Sequence, residues 1–198
     1  MKKSVKALLL VMCAIVLVVA TVFTTLAYLQ TTSQKVTNTF TVGNLQITLD
    51  ESPVDATGKK AEGARHANGN IYKLIPGNTY DKDPIIHLQP NSEACWLFAE
   101  VDNGILAIED ATTIESQILA YGWTVLKTEN SKTIYWKEAA AVAEDADAVD
   151  YRLFDTFTLK GDAAVADYAN AEISILGYAV QKDGLDSAEL AWNSTFGA

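Results

Sequence analysis

Two stretches of this 198-residue chain, residues 94–101 and 173–181, carry apolar side chains on both faces. A strand of that pattern is stable only when it is covered from both sides, which places it inside a layered β-structure. Everything else in the chain has to supply that cover.

The shorter runs carry strand signals of their own. Residues 36–42 alternate with a period of two, Val36, Phe40 and Val42 on one side and Thr37, Thr39 and Thr41 on the other. After Gly43-Asn44 the apolar parity moves to Leu45, Ile47 and Leu49, so the strand is expected to bend or bulge there. Residues 71–75 predict a short strand closed by the turn pair Pro76-Gly77. Residues 80–88 predict another, in which Pro84 requires an edge position or a start at Ile85. Residues 123–128 and 133–136 predict a hairpin, and residues 153–160 a further strand.

One helix is expected between Thr112 and Tyr121. Thr112 and Glu115 have capping-box spacing, Ile114, Ile118 and Leu119 form a stripe, and Gly122 ends it. The polar residues 50–70 predict a surface loop, and the Ala- and acid-rich residues 138–150 a solvated loop or short helix. About eight strands, one short helix and no strand–helix alternation together predict an all-β antiparallel sandwich or barrel.

The N-terminus is different in kind. Lys2, Lys3 and Lys6 precede an unbroken apolar run over residues 7–20, and Thr25-Leu26-Ala27 places small residues where a signal peptidase cuts. The order predicts an export signal over residues 1–27, cleaved between Ala27 and Tyr28. A retained anchor competes with that reading, because no charge lies between Lys6 and Lys35 and such a stretch spans roughly 30 Å of hydrocarbon.

Acids outnumber bases, and the net charge is −10. Nucleic acid and anionic membrane surfaces both demand a basic face, so neither is an expected partner. Once the signal leaves, Cys95 is the one remaining thiol, set in the apolar run Ala94-Cys95-Trp96-Leu97-Phe98, where it is expected to behave as a small buried hydrophobe.

Several segments together carry a resemblance. They are Thr25-Leu26-Ala27-Tyr28-Leu29, the strand Asn38-Thr39-Phe40-Thr41-Val42-Gly43-Asn44-Leu45, the turn Leu74-Ile75-Pro76-Gly77, and Gly177-Tyr178-Ala179-Val180-Gln181 with Ala191-Trp192. In these, and in their order, the chain resembles the TasA/camelysin family of Gram-positive exported proteins, which are processed by a SipW-type signal peptidase. The resemblance implies a jelly-roll sandwich over residues 36–198, secreted to the cell surface or extracellular matrix as a subunit of biofilm fibres. It implies head-to-tail partnership with further copies of itself, and an accessory matrix protein as a further partner. It also implies a donor strand just after the cleaved signal, here Tyr28, Leu29, Gln30, Thr31, Thr32, Ser33, Gln34 and Lys35. Tyr28-Leu29 is followed by Gln30-Thr31 where that family carries an acidic pair.

The donor reading has physical support of its own. Residues 28–34 are uncharged, lack Pro and Gly, and include Thr31, Thr32 and Ser33. Such a segment can complete the edge of another sheet, and a head-to-tail contact of that kind propagates into an open filament. The competing reading makes residues 28–35 a flexible stalk carrying a monomeric surface-binding or adhesion module. The flat faces of Trp96, Trp123, Trp136 and Trp192 suggest glycan as a ligand of such a module, but core packing is the expected use of Trp96 and Trp192, and Trp136 is the one expected to be exposed.

Enzymatic chemistry finds no carrier. A zinc peptidase needs two helical imidazoles four residues apart with a carboxylate between them, whereas His66 and His87 fall in different elements and each reads as a surface or strand-edge residue. No Gly-x-Ser-x-Gly elbow and no Gly-rich phosphate loop occurs. Glu144, Asp145, Asp147 and Asp150 could attract Ca²⁺ but lack the spacing of a calcium loop, and Asp81 and Asp83 beside Lys82 are expected to be solvated. No catalytic residue, metal ligand or cofactor is assigned.

Overall fold

The computed structural model describes residues 44–197 and the isolated Met12. The signal with its Ala27–Tyr28 junction, the donor segment Tyr28 to Lys35 and the strand expected over residues 36–42 lie outside the described residues. The body described here belongs to the unit Thr39–Ala198.

Nine strands are described: β1 (Ile47–Asp50), β2 (Thr79–Asp81), β3 (Ile85–Leu88), β4 (Cys95–Asn103), β5 (Thr124–Glu129), β6 (Lys132–Ala139), β7 (Val149–Arg152), β8 (Thr156–Thr158) and β9 (Ile173–Gln181). Every pairing among them is antiparallel. The first sheet has the order β1-β3-β7, and the second β5-β6-β4-β9. The β2-β8 pair continues the β3-β7 pair across a break, where Lys82 N–H donates to Asp155 O and Leu153 N–H to Pro84 O. The all-β antiparallel sandwich expected from the sequence is what the chain builds.

The inner face of β4 (Cys95, Leu97, Ala99, Val101) meets Ile86 and Leu88 of β3 and Phe157 of β8 in one buried core with Leu153, Phe154 and Tyr135. The outer face of β4 is apolar as well. Trp96 and Phe98 are covered by helix α3 (Ala188–Thr195), whose Ala188, Ala191 and Trp192 pack on them. Both faces of β4 are covered as the sequence reading has them, and β9 has the expected span, but β9 ends its sheet with Ser174 and Leu176 exposed, and α3 was not expected. Ser187 starts it by accepting the Leu190 N–H.

Other expectations need correction. Residues 71–75 form no strand, and Ile71 is 97% exposed. Their backbone is engaged by a side chain instead: the Tyr80 hydroxyl accepts the Ile75 N–H and donates to Lys73 O. β3 begins at Ile85, one of the two outcomes Pro84 allows, and so it can lie between β1 and β7 with Pro84 contributing only its carbonyl to the ladder. Helix α1 (Ile114–Ala120) is capped by Thr113, not Thr112, through Ser116 N–H to Thr113 Oγ1 at 3.1 Å. Leu119 is exposed, so the buried stripe is Ile114 and Ile118, and Gly122 at φ 78° ends the turn that follows. A further short helix, α2 (Val165–Tyr168), was not expected. Residues 138–150 are partly strand, since β6 runs to Ala139 and Val142 bridges to Ser92. The 50–70 stretch is tied down by the bridges Glu51 to His66 and Val54 to Lys60.

Candidate functional site

Hydrogen-bond phase identifies two strand edges. Lys182 N–H donates to Ala94 O and Gly104 N–H to Glu172 O, both in the β4-β9 register. Bonded pairs alternate in an antiparallel ladder, so Ser174, Leu176, Tyr178 and Val180 face β4. Ile173, Ile175, Gly177, Ala179 and Gln181 therefore turn their N–H and C=O groups away from it. On β1, the Gln89 N–H to Gln46 O bond sets the same alternation, so Thr48 and Asp50 face β3 while Ile47 and Leu49 turn outward. Among the described residues no strand pairs with either outward row.

These two edges belong to different sheets and lie side by side. A Cβ on Gly177 would stand 3.6 Å from Ile47 Cδ1 and 3.3 Å from Ile86 Cδ1. Leu45, Ile47, Leu49, Ile173, Ile175 and Ala179 are half-buried against the core along the same margin. The line between the two edges is an apolar slot flanked by outward backbone groups that no described strand pairs, as an added strand requires. At one end, Glu51 closes the β1 wall by exchanging two backbone bonds with His66.

The outer face of the first sheet is polar. Arg65 is its hub: Nε lies 2.5 Å from Asp50 Oδ1, and Nη1 donates to Asp83 Oδ2 and Ser52 Oγ, each at 2.9 Å. Its Nη2 donates to the carbonyls of Asp50 and Asp83. Burial acts to raise the Asp83 carboxyl, but bonds from the Ser52 N–H and hydroxyl, Lys60 and Arg65 outweigh it and hold Asp83 well below the usual carboxylate range. Asp81 pairs with Lys59 at 3.3 Å. The expectation that Asp81 and Asp83 are merely solvated fails for Asp83, which is buried.

His87 is not a strand-edge residue. It sits on the central strand of its sheet between Asp50 and Asp150. His66 is half-buried, and its Nδ1 is a buried atom without a hydrogen-bond partner. Lys82 and Glu51 form a buried ion pair at 2.5 Å, and Asn70 Nδ2 donates to the other oxygen of Glu51 at 2.9 Å. Beside this cluster lies a cleft of about 280 Å³ lined by Ser52, Lys60, Asp83, Arg152 and Asp155. Its charges are already neutralised internally, Lys60 on Asp83 at 3.1 Å and Arg152 on Asp155 at 2.5 Å.

Cys95 is fully buried and burial pushes its thiol up to about 12, as suits a small hydrophobe. Glu144, Asp145 and Asp147 are exposed, and Asp150 is engaged by His87. Among the described residues no group of three or more His, Cys, Asp and Glu is placed to hold a metal ion, and no helix is long and apolar enough to cross a membrane. Trp96 and Trp136 pack edge-to-face at 5.4 Å, and Trp192 packs edge-to-face or tilted against Phe98, Tyr178 and Phe196. Trp123 is buried with its Nε1 on Arg152 O. Trp136, the indole expected to be exposed, is half-buried.

Sequence reasoning passed over the Arg65, His87 and Glu51 constellations. One signal for His87 was present: in Ile86-His87-Leu88 the apolar neighbours point inward, so the imidazole must point out, toward whatever strands β1 and β7 supply. Compared with known protein families, curated proteins and solved structures, the chain matches none.

Proposed function

We propose that this chain is an exported structural subunit that polymerises by strand addition, the segment Tyr28 to Lys35 of one copy entering the slot between β1 and β9 of the next. The slot carries the proposal: two neighbouring edges in different sheets, each with outward backbone groups that no described strand pairs. Each ladder bond formed there contributes a net of about 1 kcal/mol, and the apolar floor adds burial. Because the donor and the slot are different surfaces, the contact does not close on itself and filaments follow. Cleavage after Ala27 releases the donor, and the resemblance to TasA/camelysin proteins points the same way.

The test is deletion of residues 28–35 from the exported form. The purified intact form is expected to give filaments by negative-stain microscopy, and the truncated form a folded monomer. Filaments from the truncated protein would sink the mechanism.

A further inference from the structure

Glu51 holds two groups that can react with each other. Lys82 Nζ donates to its Oε2 at 2.5 Å, and Asn70 Nδ2 donates to its Oε1 at 2.9 Å, so an amine and a carboxamide meet on the two oxygens of one carboxylate. The Lys82 and Glu51 side chains are only 8% and 6% exposed. The amide is held in one orientation, because Nδ2 also donates to Ser52 O at 2.9 Å while Oδ1 accepts the Val54 N–H at 3.2 Å.

That Val54 bond places a donor where negative charge would grow on a carbonyl under attack. Two residues along from Asn70, Tyr72 packs edge-on to Tyr80 and Phe157. The ammonium is poorly served as an ion. It has three donors, and among the described residues Glu51 is its one acceptor. The contact with Oε2 is the path by which Lys82 can hand a proton to Glu51.

We propose that Asn70 and Lys82 form an intramolecular isopeptide crosslink, with Glu51 carrying the protons. Lys82 gives one proton to Glu51, and its amine nitrogen attacks Asn70 Cγ, forming the new C–N bond. The attacking nitrogen then loses a second proton. Both protons pass through Glu51 to Nδ2, the Cγ–Nδ2 bond breaks, and the leaving nitrogen departs as ammonium. Glu51 ends as the carboxylate it was at the start. One C–N bond is made and one is broken, nothing is oxidised or reduced, and no other reactant is needed. The product ties the stretch after β1 covalently to the break between β2 and β3, and it does not depend on how the subunits assemble.

Intact-mass spectrometry of the folded full chain tests the crosslink directly. The expected mass is short by one ammonia, with protease mapping giving a branched peptide that joins Asn70 to Lys82. Glu51→Gln, Asn70→Ala and Lys82→Arg should each restore the full sequence mass and the two linear peptides. Circular dichroism of Glu51→Gln, the closest in shape, verifies that the restored mass comes from a folded protein. A folded wild-type chain that keeps its full mass on prolonged incubation overturns the proposal. So does a loss of ammonia that persists in Lys82→Arg or maps to a linear succinimide at Asn68-Gly69.

Discussion

His87 on β3 and Asp50 on β1 are joined across the strands, Nε2 to Oδ1, at 2.9 Å. On the far side, Nδ1 of the same ring lies 2.6 Å from Asp150 Oδ1 on β7. With a carboxylate at each nitrogen, both must donate, so the geometry holds an imidazolium. Burial disfavours that charge, but the bonds to Asp50 and Asp150 prevail and raise His87 above its ordinary value of 6.5. The like charge of Arg65 stands on the other side of Asp50.

A His whose folded value is raised contributes stability that is complete below 6.5 and is lost as pH climbs through the folded value. Asp50 is lowered, despite the opposing effect of burial, by His87 and Arg65, so its contribution is lost only as pH falls below 3.8. The wild type is expected to lose about 1 kcal/mol on the alkaline side, a modest figure because Asp150 is well exposed. His87→Gln should flatten that limb, as read from urea midpoints across pH. An unchanged limb in the variant would dissociate the ring from the effect.

Arg65 is the one side chain that touches Asp50, Ser52 and Asp83 together. Arg65→Met leaves Asp83 buried with Lys60, Ser52 and, at 3.9 Å, Arg152 as its side-chain partners, and the expected loss is about 3 kcal/mol. Lys at the same position keeps the charge without the planar fork, so it should recover only part of that loss. Urea unfolding at constant slope measures both. The acid limb offers a second reading: Asp83 is held low, so its contribution disappears as pH falls, and Asp83→Asn should weaken that dependence.

The sandwich was legible because β4 and β9 are long apolar runs, and β4 is buried on both faces along most of its length, as its pattern requires. Where local pattern failed, a distant side chain had taken over the backbone. Residues 71–75 look like a strand, but the Tyr80 hydroxyl satisfies them. Glu109 does the same at α1, where its buried carboxylate accepts the Ile114 N–H from five residues upstream of the helix start. The polar sites were hidden for a related reason. Glu51, Asn70 and Lys82 are remote in sequence, and only the register of β1 and β2 against their neighbours brings them together.

Strand addition at β9 can be separated from folding by a pair of proline variants. Ala179 turns its N–H outward, so Ala179→Pro removes a donor that only an incoming strand would use. The variant is expected to remain a folded monomer and to lose filaments. Leu176 faces β4, and Leu176→Pro breaks the internal ladder at a cost of about 3 kcal/mol or more. Circular dichroism and negative-stain microscopy of the two variants together distinguish the edges. If Ala179→Pro still polymerises, the incoming strand does not use this wall.

Trp192 anchors α3 to the second sheet, yet its Nε1 is buried without a hydrogen-bond partner. Its ring contacts are edge-to-face or tilted, with Phe98 at 5.1 Å, Tyr178 at 5.4 Å and Phe196 at 4.8 Å. Packing and polarity therefore act in opposite directions on this residue. Trp192→Ala removes the packing and is expected to cost about 4 kcal/mol. Trp192→Phe keeps an aromatic ring and removes the unsatisfied donor, whose burial alone carries a penalty of about 1–3 kcal/mol. The lost ring volume and the relieved N–H should nearly cancel, leaving the phenylalanine variant within about 1 kcal/mol of wild type. Thermal unfolding of the two variants measures the difference. A phenylalanine variant as unstable as the alanine one would mean that the indole nitrogen has a partner after all.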